Sequence, residues 1–471
     1  MVAPGRLPGV RRALDLLFCI NPLTILTHAV LPLTKINLRR NSAVWSVCVL
    51  APISFRGRCL TTGVGAMAGC VSAAIVLCAA SGSAAAVLPG IDVLEQRRFD
   101  LLQGKRVGLI TNHTGRSADG RSTIDILQRA PGVHLAALFS PEHGIRGDSD
   151  HKLASGFDDR TGLPVHSLYG TSCRPTPEML KGLDMLVFDI QDIGTRFYTY
   201  IGTMSLALGA ARGAGIPFVV LDRPNPLGGE KVQGAIPTMM PAEKESGCGA
   251  LTSIHPIPTR HGMTIGELAR LFNNEFGIGA DLTVVPTAGW KRPMYFDETG
   301  LAWINPSPNM RNLTAAILYP GPGTLETTSL SVARGTDRAF TAFGAPWVDA
   351  AAVARNLAAR TIPGISFQAC SFTPTTPGFI HRGKLCRGVC VAALDRKKND
   401  PVLTGLHLVQ TFYETHPEKF RPSEGFATEI GDREVWDLLT RQRKRPAEVA
   451  GRWDSDLDRF RRVRERYLLY R

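Results

Sequence analysis

From Lys105 onwards the chain alternates between short runs of consecutive apolar, often β-branched residues and longer runs with helical spacing. KRVGLITN (105–112) predicts a strand, STIDILQRA (122–130) a helix, VHLAALF (133–139) a second strand and LDMLVFDI (183–190) a third. A helix rich in small residues follows around 199–213, and IPFVVLD (216–222) makes a fourth strand. Strands that are apolar on both faces need cover on both faces, and the intervening helices supply it, so the pattern argues for a parallel sheet. The expected class is α/β, a Rossmann-like parallel-sheet domain followed by a C-terminal α+β auxiliary domain.

The second region starts near His255. Thr264 and Glu267 in TIGE form a capping box for a helix reaching Phe276, and DLTVVP (281–286) predicts a strand. The stretch from Trp290 to Pro346 is rich in Gly, Pro and aromatics, and segments this long without evident periodicity are usually functional or structured in ways that local pattern hides. A helix (348–360), two strands (365–372 and 388–394), a further helix (402–415) and a basic amphipathic helix ending in RFRRVRERYLLYR complete the chain. These elements suggest a Rossmann-like catalytic domain over 87–245 and an auxiliary domain over 246–471 that completes a cleft.

The N-terminal 86 residues read differently. Residues 59–91 carry no charge, and within them MAGCVSAAIVLCAA (67–80) is 14 residues long, short of the roughly 20 needed to cross a bilayer. The small residues of SGSAAAV that follow suit cleavage after Ala85 or Ala86. Residues 1–86 are therefore expected to be a leader, with 1–55 lying upstream of the true start. The mature protein would be periplasmic or extracellular and would lack a stable membrane span. Five of the ten cysteines fall in this leader, leaving Cys173, Cys248, Cys370, Cys386 and Cys390. An oxidising compartment permits disulfides, with Cys370 joined to Cys386 or Cys390, and no paired CxxC spacing suggests zinc.

The net charge of +13 changes little in this picture. Residues 1–66 contribute +7 and residues 440–471 contribute +6, while the bases and acids between them balance at 35 each. A nucleic-acid partner, which needs a basic surface on the fold itself, is not expected. The basic tail reads as a solvated helix face.

No GxGxxG follows the first strand, and the glycines of NHTGRSADG have the wrong spacing, so no dinucleotide is expected. Ligands of open parallel sheets nonetheless bind outside the carboxyl ends of the strands. Those ends deliver Asn112 and His113, then Glu142 and His143, then Asp189, Gln191 and Asp192, and finally Asp222, Arg223 and Asn225. Glu142 in SPEHG occupies a tight turn directly after an apolar strand, a placement suited to general-acid work. Asp189 and Asp192 are candidate second carboxylates. Arg196, Tyr198 and Tyr200 could bind an anionic or sugar ligand, and Arg260 with His261 could face the same cleft. Asp222 and Arg223 could instead pair with each other. For Ser307, Asn309, Glu326 and Arg334, packing within the long loop region is the default reading.

The strings LFSPEHGIRG, TGLPVHSLYG, VFDIQDIGTRFYTYIGT, VLDRPNPLGG, RHGMTIGELA, INPSPNM and the terminal YLLY, in that order, resemble the NamZ-type exo-β-N-acetylmuramidases from about Leu88 to Arg471. The resemblance implies a Rossmann-like domain, an auxiliary domain, a cleft between them, and release of N-acetylmuramic acid from the non-reducing end of peptidoglycan fragments. It singles out Glu142 as catalytic. Such chemistry calls for no cofactor and no metal ion. The lactyl carboxylate of muramic acid would want an arginine, for which Arg196 and Arg223 are candidates. This chain reads TSLSVARGT (328–336) where the family usually reads close to TNLSEGRGT, and ESGCGALTSIH replaces an SFVG-like segment. A metal-dependent hydrolase using His113 and His143, or a non-catalytic saccharide-binding protein, are the competing readings.

Overall fold

The computed structural model describes residues 36–40, 43–47, 87–146, 154–238 and 247–471; the expected signal sequence and its cleavage site lie outside them. Residues 1–79 and 80–471 form two compact units. In the first, β1 (Ile36–Arg40) pairs antiparallel with β2 (Ala43–Val47).

The second unit is built on a sheet whose strands are β3 (Arg106–Thr111), β4 (His134–Ser140), β5 (Gly156–Phe157), β6 (Pro164–Ser167), β7 (Met185–Asp189), β8 (Phe218–Leu221) and β9 (Leu282–Val285). They lie in the order β5-β6-β4-β3-β7-β8-β9, all neighbours parallel except β5 with β6. The chain leaves β3 towards β4 on one side and returns to β7 on the other. The strand order therefore reverses between β3 and β7, which opens a crevice at their carboxyl ends.

Alternate residues of the central strands feed two cores. Val107, Leu109, Val187, Val219 and Leu221 pack with Ile91 and Leu94 of α1 (Gly90–Gln96) and with Ile124 and Leu127 of α2 (Thr123–Arg129). Ile110, Leu186, Phe188 and Val220 pack with α3 (Thr199–Ala214) and α4 (Ile265–Glu275) through Met204, Leu208, Leu268 and Phe272. The capping box expected at Thr264 and Glu267 is present in α4.

The C-terminal part holds an antiparallel sheet of β10 (Ala342–Ala345), β11 (Ile365–Phe372) and β12 (Cys386–Ala393), in the order β10-β12-β11. Helices α5 (Ala350–Ala359) and α6 (Pro401–Thr415) accompany it, followed by α7 (Gly425–Ile430) and α8 (Asp454–Glu465). Phe343, Val389, Leu406 and Phe412 share one continuous core with Tyr198 and Met204, so the two parts of this unit are packed together rather than tethered.

Local pattern and structure part company in three places. Strand β9 pairs with β8 from Phe218↔Leu282 to Leu221↔Val285, so the first sheet extends well past residue 245; which sheet a strand joins is decided by tertiary pairing. The basic tail is not wholly solvated. Arg464 is buried and donates to the carbonyls of Gly229, His261 and Gly262, at 2.9 Å for the last. Disulfides join Cys370 to Cys390 and, unforeseen, Cys173 to Cys248, leaving Cys386 as a buried thiol.

Candidate active site

The turn after β4 sets Glu142 beside the first turn of α3. Thr199 Oγ1 donates to Glu142 Oε2 at 2.6 Å. The Tyr169 hydroxyl also bonds this carboxylate, and burial first, then the Glu142 charge, holds the phenol well above its ordinary pKa. The turn is shaped by two successive left-handed residues, His143 (φ 71°) and Gly144 (φ 76°), closed by Gly144 N–H donating to Pro141 O at 3.1 Å. Histidine tolerates this region better than most non-glycine residues, and backbone strain of this kind concentrates at functional turns.

Aromatic rings wall the site. Tyr198 meets Tyr200 edge-on at 5.0 Å and Tyr319 at 5.9 Å. All three phenols are buried, and burial is the main cause that keeps them protonated. The INPSPN segment crosses the strand ends: Tyr200 donates to Pro306 O, and His113 Nε2 lies 2.6 Å from Asn305 O. Asn309 Oδ1 then accepts from Gly335 N–H at 2.7 Å, tying this segment to the ARGT turn of the auxiliary part.

That turn brings in groups whose default reading was loop packing. Arg334 pairs with Glu326 through Nε and Nη2, the second contact at 2.8 Å, and stacks over Phe379 at 4.2 Å and Phe340 at 5.1 Å. Its charge reaches Tyr169 and Tyr319. Glu429 of α7, which local pattern did not suggest at all, is pushed up to about 8 by burial and by Glu326, against the pull of Arg196 and Arg334. These positions became candidates only once the fold placed them; they lie in segments of the chain with no strand-end signature.

The strand-end residues expected from the sequence divide into two groups. Asn112 bonds the Tyr200 phenol, His113 reaches Asn305 O, Tyr198 feels the Glu142 charge, and His143 follows Glu142 in the same turn. Most of the others are engaged in holding the scaffold. Asp189 is fully buried and receives Arg223 through both oxygens, Nη2 at 2.9 Å, together with the Thr123 hydroxyl. Arg223 therefore pairs with Asp189 and not with Asp222. Asp222 instead accepts from Tyr470, from Thr264 Oγ1 at 2.7 Å and from Gly266 N–H at 2.7 Å, anchoring the C-terminal YLLY to the sheet. Gln191 donates to Asp192 O and Pro224 O, and Asn225 donates to Met263 O, all at 2.8 Å. Arg196 donates to Ser253 Oγ at 2.6 Å and to the carbonyls of Thr428 and Glu429. Arg260 bonds Gln233 and Leu227 O. His261 is fully buried and driven down to about 3 by burial and by Arg464 and Arg260.

Asp192 stands apart. Its Oδ2 accepts from Gly194 N–H at 2.7 Å, while Oδ1 is buried without a hydrogen-bond partner among the described residues. Burial pushes it up to about 7. After burial, the charges of both Glu142 and Asp192 help to hold the Tyr198 phenol above its ordinary pKa.

A concavity of about 710 Å³ lies further along α3 between Pro175, Leu206, Ala210 and His255, away from these groups. Ser205 Oγ is 2.7 Å from His255 Nε2 there, but His255 is stacked on Phe276 and held at about 4 by burial, which makes it a poor base. That cavity is lined by no carboxylate and no phenol, whereas the Glu142 carboxylate is bonded by the Thr199 and Tyr169 hydroxyls.

Comparison with known proteins identifies the family. Residues 107–314 match the family described as exo-β-N-acetylmuramidase NamZ, N-terminal, and residues 317–470 match its C-terminal counterpart. The chain is 44% identical over 390 residues to the peptidoglycan β-N-acetylmuramidase NamZ of Bacillus subtilis (strain 168), covering 82% of this chain and 91% of that protein. Two crystal structures of DUF1343 family proteins from Bacteroides fragilis NCTC 9343 are similar, at 38% identity with a TM-score of 0.73 and at 30% with 0.65. Each covers 82% of this chain and 99% of its own.

Proposed function

This chain belongs to the NamZ exo-β-N-acetylmuramidase family, and we propose that it is an exported enzyme releasing N-acetylmuramic acid from the non-reducing end of peptidoglycan fragments, with Glu142 as general acid. The observation that carries the reading is the carboxyl of Glu142 at a strand end, oriented by Thr199 and Tyr169 and facing Tyr198. Glycoside hydrolysis pairs an acid that protonates the leaving oxygen with a second carboxylate that attacks, activates water or orients the sugar's own acetamide. Glu142 takes the first role. Asp189 is spent on Arg223 and Thr123, so the second role falls to Asp192, whose Oδ1 is buried without a hydrogen-bond partner among the described residues. Two disulfides support an oxidising compartment, and no helix among the described residues is long and apolar enough to cross a membrane.

The test is hydrolysis of a chromogenic N-acetylmuramic acid glycoside beside its N-acetylglucosamine analogue. Turnover of the first in preference to the second is expected, and Glu142→Gln should lower it by a factor of about a thousand or more with the fold intact. Near-normal turnover in that variant would remove Glu142 from the mechanism, and binding without turnover in the unmodified protein would make it a saccharide-binding protein.

A further inference from the structure

His261 reaches Asp192 from the RHGMT segment with one ring nitrogen engaged and the other spare. Met263 N–H donates to His261 Nδ1 at 3.2 Å. A ring nitrogen that accepts carries no proton, so the neutral imidazole bears its hydrogen on Nε2. Nε2 is buried without a hydrogen-bond partner among the described residues, and it lies 3.9 Å from Asp192 Oδ2. We propose that His261 is a positioning residue for Asp192, a fixed N–H donor that receives the carboxylate when Asp192 ionises during turnover. The inference rests on the reading of Asp192 as the second carboxyl and adds the group that lets it ionise.

The backbone brings the two side chains together. Arg196 N–H donates to Thr259 O at 2.8 Å, Thr195 and Arg260 form an isolated β-bridge, and Arg260 N–H donates to Gln233 O at 2.8 Å. The residues before His261 are thus laced to the segment that follows Asp192. Arg464 of α8 fixes the next peptides by donating to His261 O at 3.3 Å and Gly262 O at 2.9 Å. A gap of 3.9 Å is too short for an intervening water, whose two bonds would span roughly 4.5 to 5.5 Å, and it exceeds a direct bond by about 1 Å. A small closure makes the bond.

The surrounding charges decide which partner holds a proton. Burial first, then the cations Arg464 and Arg260, keeps the His261 ring neutral down to about 3. Behind it, Arg292 pairs with Glu267 of α4 and donates to Gly262 O at 3.4 Å. His261 therefore offers Asp192 a dipole and not a counter-charge. No charged side chain among the described residues contributes to the state of Asp192. Burial raises it to about 7, opposed by the N–H groups of Gly194 and Ile193, and the Tyr198 phenol is the titratable group that senses its charge. A carboxylate buried with one oxygen unbonded ionises at a cost, and each further donor lowers that cost. His261 Nε2–H is such a donor, with no competing acceptor.

The experiment follows the Asp192 carboxyl directly, by carbon NMR of protein labelled at the aspartate carboxyls, with Asp192→Asn assigning the resonance. A hydrogen bond to a charged group corresponds to about one pH unit or more, so His261→Leu should raise the Asp192 midpoint by about that much. His261→Gln, whose amide N–H reaches about as far as Nε2, should bring it most of the way back. On the 4-nitrophenyl glycoside of N-acetylmuramic acid, His261→Leu should lower kcat about tenfold and His261→Gln should recover most of it. In an Asp192→Asn background the leucine should cost nothing further, because the contact is already gone. An unmoved Asp192 midpoint in folded His261→Leu, or an equal leucine penalty with and without Asp192, would overturn the assignment. If His261→Leu does not fold, the unmodified protein decides: the His261 Nε2–H proton resonance should move with the Asp192 titration, and a constant shift between pH 5 and pH 9 overturns the pairing. Full turnover by Asp192→Asn would instead strike the reading of Asp192 as second carboxyl, whatever the titration shows.

Discussion

Thr199 Oγ1 donates to Glu142 Oε2 at 2.6 Å, and because Thr199 opens α3, the hydroxyl that orients the acid is itself fixed by a helix. Thr199→Val keeps the shape of the side chain and deletes the donor. A hydrogen bond to an ionisable group is worth about 1.5 to 3 kcal/mol, so kcat should fall roughly ten- to a hundredfold with KM changed little. Thr199→Ser should restore most of the loss. Steady-state kinetics on the muramic glycoside check both, and unchanged kcat in the valine variant would show that the hydroxyl does not position Glu142.

Asp189 and Arg223 form an ion pair in which neither side chain is more than 5% exposed. Removing one member of such a pair strands a buried charge, at about 3 to 5 kcal/mol. Asp189→Asn should therefore shift the denaturant midpoint sharply, and any activity loss should track the unfolded fraction. A variant of normal stability without activity would instead return Asp189 to the chemistry.

How much of this was legible in the chain follows from what local pattern can carry. The four central strands, the α4 capping box and the turn at Glu142 were readable, because apolar runs and capping residues act over a few neighbours. Which polar groups are free for chemistry was not. Asp189, Asp192, Asp222 and Arg223 look alike at the strand ends, and only the tertiary pairing separates an aspartate saturated by Arg223 from one with an unsatisfied oxygen. Arg334 was given to loop packing and Glu429 was not suggested at all, for a related reason. They reach the site from segments far along the chain, and strand-end reasoning applies only to the sheet that those ends belong to.

Stability should depend on pH through Asp192. Its pKa is raised by burial from 3.8 to about 7, so between about pH 4 and 7 the folded chain holds a proton that the unfolded chain has released. Stability contributed by this group thus falls as pH rises through that window, by about 1.4 kcal/mol per unit, and levels off above it. His261, held at about 3, acts in the opposite sense, since the unfolded state takes up its proton as pH falls below about 6.5. The difference between the unmodified protein and Asp192→Asn isolates the first effect. The asparagine variant should gain relative stability steadily from pH 5 to pH 7 in urea titrations; a constant difference across that range would place the Asp192 pKa outside it.

The ARGT turn makes the final prediction, because the two left-handed positions on either side of Arg334 carry different residues for different reasons. Ala333 at φ 59° bears a side chain where glycine would relieve about 1 to 2 kcal/mol of steric cost. Against that gain stand about 0.5 to 1 kcal/mol for the extra freedom of an unfolded glycine and about 0.8 kcal/mol for the buried methyl, which packs with Ala342, Phe372 and Cys386. The terms nearly cancel, so Ala333→Gly should leave stability within about 0.5 kcal/mol. Gly335 has no such latitude. A Cβ there would lie 2.2 Å from Thr375 Oγ1 and 2.7 Å from the Thr376 nitrogen, at φ 82°. Gly335→Ala should cost more than about 2 kcal/mol and loosen the bond from Gly335 N–H to Asn309 Oδ1. Thermal or urea denaturation of the two variants side by side decides the matter, and equal stabilities would contradict the account of both residues.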